Sequence, residues 1–277
     1  MNKLFSLLCI LCLGACSASR SSWQLVDNFE RLELGEDWVK VDAQNDTDPY
    51  VEDPQIAEIT TFESQNNRFL LKKAASDGVL GNRKALTFVE LPTAVRVGEI
   101  FTFYTRINVE YFPNNHSFGL GNLPSEQIAL LSYDAFEPMM RITDKAESDG
   151  SRNDGTLMVS AGHKRYEKIR NVLAEEPGNP LQDGEWYELW YIVNNSRNEG
   201  GGQSFDLYMR GGEFEVQTLV YRGGKFRMQR ELPLTHFLTI SNTGSKKSPY
   251  GNGGVRYDDI FMAKNIELSV PPSVVLE

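Results

Sequence analysis

A chain of 277 residues carries 28 lysines and arginines against 38 aspartates and glutamates, a formal net charge of −10. So acidic a surface argues against nucleic acid as a ligand and against adsorption to anionic lipid. The length suffices for one large core, and past the first residues no apolar run is long enough to cross a bilayer.

All three cysteines, Cys9, Cys12 and Cys16, fall at the N-terminus. Lys3 gives a positive start, Leu4 to Leu13 form a short apolar run, and Leu13-Gly14-Ala15-Cys16 closes it. A basic start, a run too short to span and small residues before a cleavage point describe an export signal. The closing tetrapeptide resembles the lipobox of bacterial lipoproteins, which implies that residues 1–15 are removed and that Cys16 is acylated. An ordinary signal peptide with a chance cysteine is the alternative. The body would then hold no cysteine beyond its anchor and no disulfide, although export permits them. Residues 16–22 read as a lipid-anchored tether, small and polar from Ser17 to Ser22. Resemblance to Gram-negative lipoproteins, with Ser17 rather than Asp after the cysteine, implies sorting to the outer membrane. Membrane attachment is expected through this lipid only.

Residues 23–277 read as one domain built of strands. Phe101 to Val109 alternates strictly, with Phe101, Phe103, Thr105, Ile107 and Val109 on one face and Thr102, Tyr104, Arg106 and Asn108 on the other. A period of two marks a half-buried strand. Trp186 to Val193 is apolar on both faces, as a central strand would be. The polar, glycine-rich Asn194 to Gly202 breaks it, and Ser204 to Arg210 alternates again, which makes a hairpin. Phe214 to Tyr221 follows between Gly211-Gly212 and Gly223-Gly224. Further strands are expected at 56–62, 68–72, 85–90, 128–133, 139–143, 157–161, 237–241 and 255–263. Lys164 to Glu175 has helical spacing and ends at a Pro-Gly-Asn-Pro segment that no helix continues through. Many short strands with turn signals between them point to an antiparallel sandwich.

Two stretches carry a family resemblance. Glu185-Trp-Tyr-Glu-Leu-Trp-Tyr-Ile-Val-Asn-Asn195 followed by Ser204-Phe-Asp-Leu-Tyr-Met-Arg-Gly-Gly212 resembles a hairpin of concanavalin A-like jelly rolls. Val26-Asp-Asn-Phe-Glu30 and Val255-Arg-Tyr-Asp-Asp-Ile-Phe261 resemble the opening and closing strands of sugar-associated members. The resemblance implies an all-β, antiparallel two-sheet jelly-roll sandwich. It leaves function open, because lectins, binding modules, hydrolases and lyases share that scaffold. The Glu-x-Asp-x-x-Glu strand of laminarinase-type hydrolases does not occur, nor do the Arg-x-Glu-x-Arg and Gln-[Ile/Val]-His strands of alginate lyases.

The candidate chemistry falls into three sets. Adjacent Asp258 and Asp259 would point to opposite faces of a strand, and one of them with Asp27 or Glu30 can offer a calcium ion several oxygens; the plainer role is a hydrogen bond to a loop backbone. Arg141, His163 and Tyr166 are the reactive set: His163 and Tyr166 as base and acid for β-elimination of a uronic-acid sugar, an arginine on its carboxylate. The plainer reading is a polar loop beyond Gly162. Tyr104 and Arg106 on one strand, and Asp206, Tyr208 and Arg210 on another, would line a sugar groove if both faces lie on the concave sheet; otherwise they are ordinary outer-face residues. His116 is expected in a solvated turn and His236 in the core, and the three scattered histidines make no zinc site. Trp23, Trp38, Trp186 and Trp190 are expected in the core. The long loop Asn242 to Gly254 can border a ligand groove, with Tyr250 as its contact residue.

The reading that follows is a monomeric, lipid-anchored envelope protein that binds polysaccharide without catalysis. A polysaccharide lyase or glycoside hydrolase on the same fold, and a protein-interaction domain, are the alternatives.

Overall fold

The computed structural model describes residues 22–62, 67–147 and 152–272. The export signal, Cys16 and the tether up to residue 21 lie outside the described residues. In chain order the main strands are β1 (Trp23–Asp27), β2 (Trp38–Asp42), β3 (Ile56–Thr61), β4 (Arg68–Lys73), β5 (Ala85–Val95), β6 (Ile100–Val109), β7 (Asn115–Gly121), β8 (Phe136–Thr143), β9 (Met158–Ser160), β10 (Tyr166–Lys168), β11 (Trp186–Asn194), β12 (Ser204–Gly211), β13 (Phe214–Lys225), β14 (Leu234–Ser241) and β15 (Val255–Lys264). They form an eight-stranded sheet in the order β13-β12-β11-β6-β15-β4-β3, with β1 also on β15, and a seven-stranded sheet in the order β10-β9-β8-β7-β14-β5-β2. All of these pairings are antiparallel. The two-sheet jelly-roll sandwich read from the sequence is the fold the chain adopts.

Strand alternation decides what fills the space between the sheets. Phe101, Phe103, Ile107 and Val109 of β6 face inward, together with Tyr187, Leu189, Tyr191 and Val193 of β11. Phe118 and Leu120 of β7, and Met140 and Ile142 of β8, meet them from the seven-stranded sheet. Phe103 and Tyr191 stack at 5.5 Å across the β6–β11 pair. Both sheets are also partly covered on their outer faces, which explains why β11 is apolar on both sides. Trp190, Tyr104 and Phe261 form a small cluster on the eight-stranded sheet, sealed by Trp23, Leu268 and Val270. On the seven-stranded sheet Leu86, Phe88, Met139, Leu238 and Ile240 are covered by Leu123, Ile128 and Ala135.

That second cover holds a helix, α1 (Ser125–Leu131), followed by a 3-10 turn over Ser132–Ala135. The strand expected at 128–133 is therefore wrong. Pro124 enters the helix, its carbonyl accepting from Gln127 and Ile128, and only Ile128 packs inward while Leu130 stays exposed. The helix expected over 164–175 is absent; β10 and a two-residue ribbon, Arg170–Asn171 with Glu176–Pro177, run there instead. His116 is corrected too. It lies in β7, 2% exposed, with Nε2 2.9 Å from the Gly253 carbonyl, and burial drives its pKa down to about 3. His236 is buried as expected, its Nδ1 2.8 Å from Thr235 Oγ1. Trp38 and Trp190 are buried, whereas Trp23 and Trp186 are only partly so.

Candidate binding cleft

The uncovered end of the seven-stranded sheet's outer face carries the site. Alternation in β8 sends Met140 and Ile142 inward, so Arg141 points outward beside Met158 of β9. Asn115 of β7 accepts from Arg141 Nε at 3.4 Å and from Nη2 at 3.2 Å, which orients the guanidinium. Tyr166 opens β10 and lays its ring 5.0 Å from the guanidinium carbon. Arg227 Nη1 donates to Tyr166 Oη at 2.9 Å. Arg227 is itself held by Asp134 at 2.9 Å, and its loop by the buried Glu137, which accepts from Met228 N and Gln229 N at 3.0 and 2.8 Å.

Two loops complete the walls. Lys145 follows β8 by two residues and sits 4.9 Å from the ring centre of Tyr250. Tyr250 is carried by a tight hairpin, Gly244–Ser245 with Ser248–Pro249. Gly244 has φ of +78° there, and a Cβ on it would fall 2.4 Å from the Ser248 carbonyl oxygen, so the hairpin requires glycine. Asn242 and Tyr133 form the remaining side. Burial pushes the Tyr133 phenol up to about 12, with Arg141 and Asn242 pulling the other way. Together Asn115, Tyr133, Arg141, Lys145, Tyr166, Asn242 and Tyr250 line an open cleft of about 200 Å³.

The cleft thus holds two cations, each set against a tyrosine face, with two side-chain amides and a third phenol. Cation–π contact of this kind stabilises the pair by roughly 0.5–2 kcal/mol and uses the face of the ring rather than the cation's N–H donors. Aromatic faces suit the C–H faces of sugar rings, and amides and cations suit hydroxyls and acid groups.

Of the residues singled out in the sequence, Arg141, Tyr166 and Tyr250 meet here. His163 does not join them. It is half exposed and lies 3.7 Å from Asp134, outside the residues that line the cleft. Asn115, Tyr133, Lys145 and Asn242 were not foreseen. Only the Asn242 to Gly254 loop gave a signal, through its length and its tyrosine.

The groove expected over Tyr104, Arg106, Asp206, Tyr208 and Arg210 is filled at Tyr104 and Arg106, which are buried, while Asp206, Tyr208 and Arg210 stay half-buried. Tyr104, Trp190 and Tyr208 align across three strands, and so do Arg106, Glu188 and Arg210, which confirms a shared face. That face is the outer one of the eight-stranded sheet. Tyr104 has no exposed area and donates to Glu188 Oε1 at 2.7 Å beneath Trp23 and the C-terminal segment. Trp190 Nε1 donates to the Ser269 carbonyl at 3.1 Å, which pins that segment down. Arg210 pairs with Glu188, and Asp206 accepts from Gly223 N at 2.8 Å.

The four acids proposed for calcium do not converge. Asp27 pairs with the inward-facing Ile260 across β1 and β15, and its carboxylate takes bonds from Phe29 N (2.8 Å), Arg31 Nη1 (2.9 Å) and Trp38 Nε1 (2.7 Å). Asp258 and Asp259 do not alternate as neighbours on a regular strand would. A bulge with Asp259 at φ of +51° turns both toward Arg106 Nη1, 3.5 Å from each, on the outer side. Glu30 Oε1 accepts from Arg68 N at 3.1 Å. A guanidinium thus stands where a cation would, and among the described residues no group of three or more His, Cys, Asp or Glu is placed to hold a metal ion.

No family model and no curated protein matches the sequence. Solved structures similar to it include the PL-14 alginate lyase from Aplysia kurodai, 13% identical with a TM-score of 0.47 over 74% of this chain and 87% of that one. A basic winged bean lectin with Tn-antigen is 10% identical with a TM-score of 0.48, over 86% of this chain and 97% of the lectin. The catalytic domain of a GH131 β-glucanase from Podospora anserina is 8% identical with a TM-score of 0.47, over 78% and 80% of the two chains. Likenesses this distant carry no argument about the activity of this chain.

Proposed function

We propose that the protein binds polysaccharide in the cleft on the outer face of the seven-stranded sheet. One observation carries the reading: Arg141 and Lys145, each against a tyrosine ring, converge with Asn115, Asn242 and Tyr133 in one open cleft of about 200 Å³. Stacking on Tyr166 or Tyr250 would hold a sugar ring, and the amides and cations would take its polar groups. If Cys16 is acylated, the lipid would hold this cleft at the cell envelope, as a capture protein requires.

A second reading, β-elimination from a uronic-acid sugar, is favoured by the contact of Tyr166 Oη with Arg227 beside Arg141. Arg141 and Asn115 would hold the sugar carboxylate while a base removes the C5 proton. The C4–C5 double bond forms as the C4–O4 bond breaks, and a tyrosine donates its proton to the leaving oxygen. Tyr133, Tyr166 and Tyr250 are the phenols at hand.

The test is affinity electrophoresis of the soluble form on neutral, uronic-acid and sulfated polysaccharides, with ultraviolet absorbance of unsaturated uronic products recorded in parallel. Retardation without product supports binding alone, and product formation moves the second reading to first place. No retardation and no product on any polysaccharide would overturn both.

A further inference from the structure

One carboxylate of the protein already bridges the two cations of the cleft. Glu147 Oε1 lies 2.8 Å from Arg141 Nη1 and accepts from Asn153 Nδ2 at 2.8 Å, while its Oε2 lies 2.5 Å from Lys145 Nζ. Burial alone would raise its pKa, yet Lys145, Arg141 and Asn153 outweigh it and hold the carboxyl below its usual range.

We propose that Arg141 and Lys145 form a subsite for the anionic group of an acidic sugar, a uronate carboxylate or a sulfate ester, and that Glu147 is its internal stand-in, displaced when the ligand binds. The inference rests on the cleft being the polysaccharide site. Three observations support it. First, neither cation depends on Glu147 for its place, since Asn115 and the Tyr166 ring hold the guanidinium and the Tyr250 ring backs the ammonium. Second, Glu147 approaches from the solvent side: its side chain is 27% exposed against 10% for Arg141 and 12% for Lys145, so it can leave outward without disturbing β8. Third, Glu147 lies outside the main strands, past β8, whereas Arg141 lies within one. Of this pair the arginine is fixed in a sheet and the acid is not.

The exchange keeps the bonds on both cations, because an incoming carboxylate or sulfate offers the acceptors that Glu147 withdraws, and Asn153 Nδ2 keeps the Lys145 carbonyl as its acceptor. Its cost is the loss of the internal pair, which sets the affinity of the free protein for acidic ligands below what the two cations alone would give. Neutral sugars, with no group to compete for the pair, escape this cost.

The experiment titrates wild type, Glu147→Gln and Glu147→Ala by calorimetry with a polyuronate, a sulfated galactan and a neutral glucan oligosaccharide. Thermal melts confirm that each variant is folded. The expected result is about tenfold tighter binding of an anionic probe by both variants, the size of one charge-assisted hydrogen bond, with neutral binding unchanged. A gain confined to the polyuronate assigns the subsite to a carboxylate, and one confined to the sulfated probe assigns it to a sulfate ester. Wild type binding an anionic probe as tightly as either folded variant overturns the stand-in role and leaves the cleft reading intact. Absence of binding to every probe by all three proteins overturns the cleft reading and this inference with it.

Discussion

The guanidinium of Arg141 is gripped at its edge by the side-chain oxygen of Asn115, 3.2 Å from Nη2, and flanked on its face by Tyr166 at 5.0 Å. An arginine fixed in two planes presents its remaining nitrogen, Nη1, in one direction, where Glu147 meets it at 2.8 Å. A lysine has neither the fork nor the plane to be held this way.

Arg141→Lys should therefore weaken glycan binding about tenfold although the charge is kept, and Tyr250→Ala should do so to a similar degree. Tyr104→Phe is the control. It removes the buried bond to Glu188 and should lower stability by about 1–2 kcal/mol while leaving binding unchanged. Titration with the retarded polysaccharide and urea unfolding read the two effects separately. Binding lost in Tyr104→Phe and kept in Arg141→Lys would place the site on the eight-stranded sheet.

Attachment at Cys16 makes a separate prediction. With Cys16→Ala, the protein should move from the membrane fraction to the soluble fraction of expressing cells, and the wild-type N-terminal peptide should carry acyl mass. A wild-type N-terminus without acyl chains would reduce the segment to an ordinary export signal.

The pattern of β6 shows what a sequence can and cannot display. Its alternation placed Phe101, Phe103, Ile107 and Val109 in the core because a period of two is a property of the strand itself. Whether Tyr104 on the other face is open depends on Leu268 and Val270, far along the chain, and no local pattern announces that cover. Arg141, Tyr166 and Tyr250 each stood out singly, but their meeting depends on the β8-β9-β10 register and on the hairpin at Gly244. His116 was misread for a related reason. Pro113-Asn-Asn-His has the composition of a turn, yet His116 lies in the central strand β7 and bonds through Nε2 with the carbonyl of Gly253, remote in sequence. Adjacent aspartates imply opposite faces only on a regular strand, and the bulge at Asp259 removes that premise.

That bulge has a consequence for stability. Burial first, then the neighbouring Asp259, raises the Asp258 carboxyl well above its usual value, with Asn67 and Arg106 opposing. A carboxyl raised in the folded state contributes stability that is complete below its unfolded pKa and is lost as pH rises through the folded one. Wild-type stability should therefore carry a component that declines from about pH 4 toward pH 8. Asp258→Asn cannot ionise and should show a shallower decline. Urea midpoints across that range decide it, and parallel curves for the two proteins would show that Asp258 does not titrate there.

Lys72 should act in the opposite direction. It lies on the inner face of β4 with no exposed area, and its ammonium donates to Gln55 Oε1 at 2.7 Å, an oxygen that also accepts from Thr87 of the opposite sheet at 2.9 Å. Burial lowers its pKa from 10.5 to about 7, with Asp42 resisting and Lys40 assisting. From there up to the ordinary lysine value the unfolded chain binds the extra proton, so this contribution to stability rises with pH. Below it the folded protein carries a charged amine in its core, which an apolar side chain of similar length would avoid. Lys72→Met should stabilise the protein by about 1–3 kcal/mol at pH 6 and by much less at pH 9.5, where the amine is already largely neutral in the folded state. Gln55 keeps Thr87 as its donor in either case. A variant less stable than wild type at pH 6 would mean that the bond from Lys72 to Gln55 outweighs the cost of burying its charge.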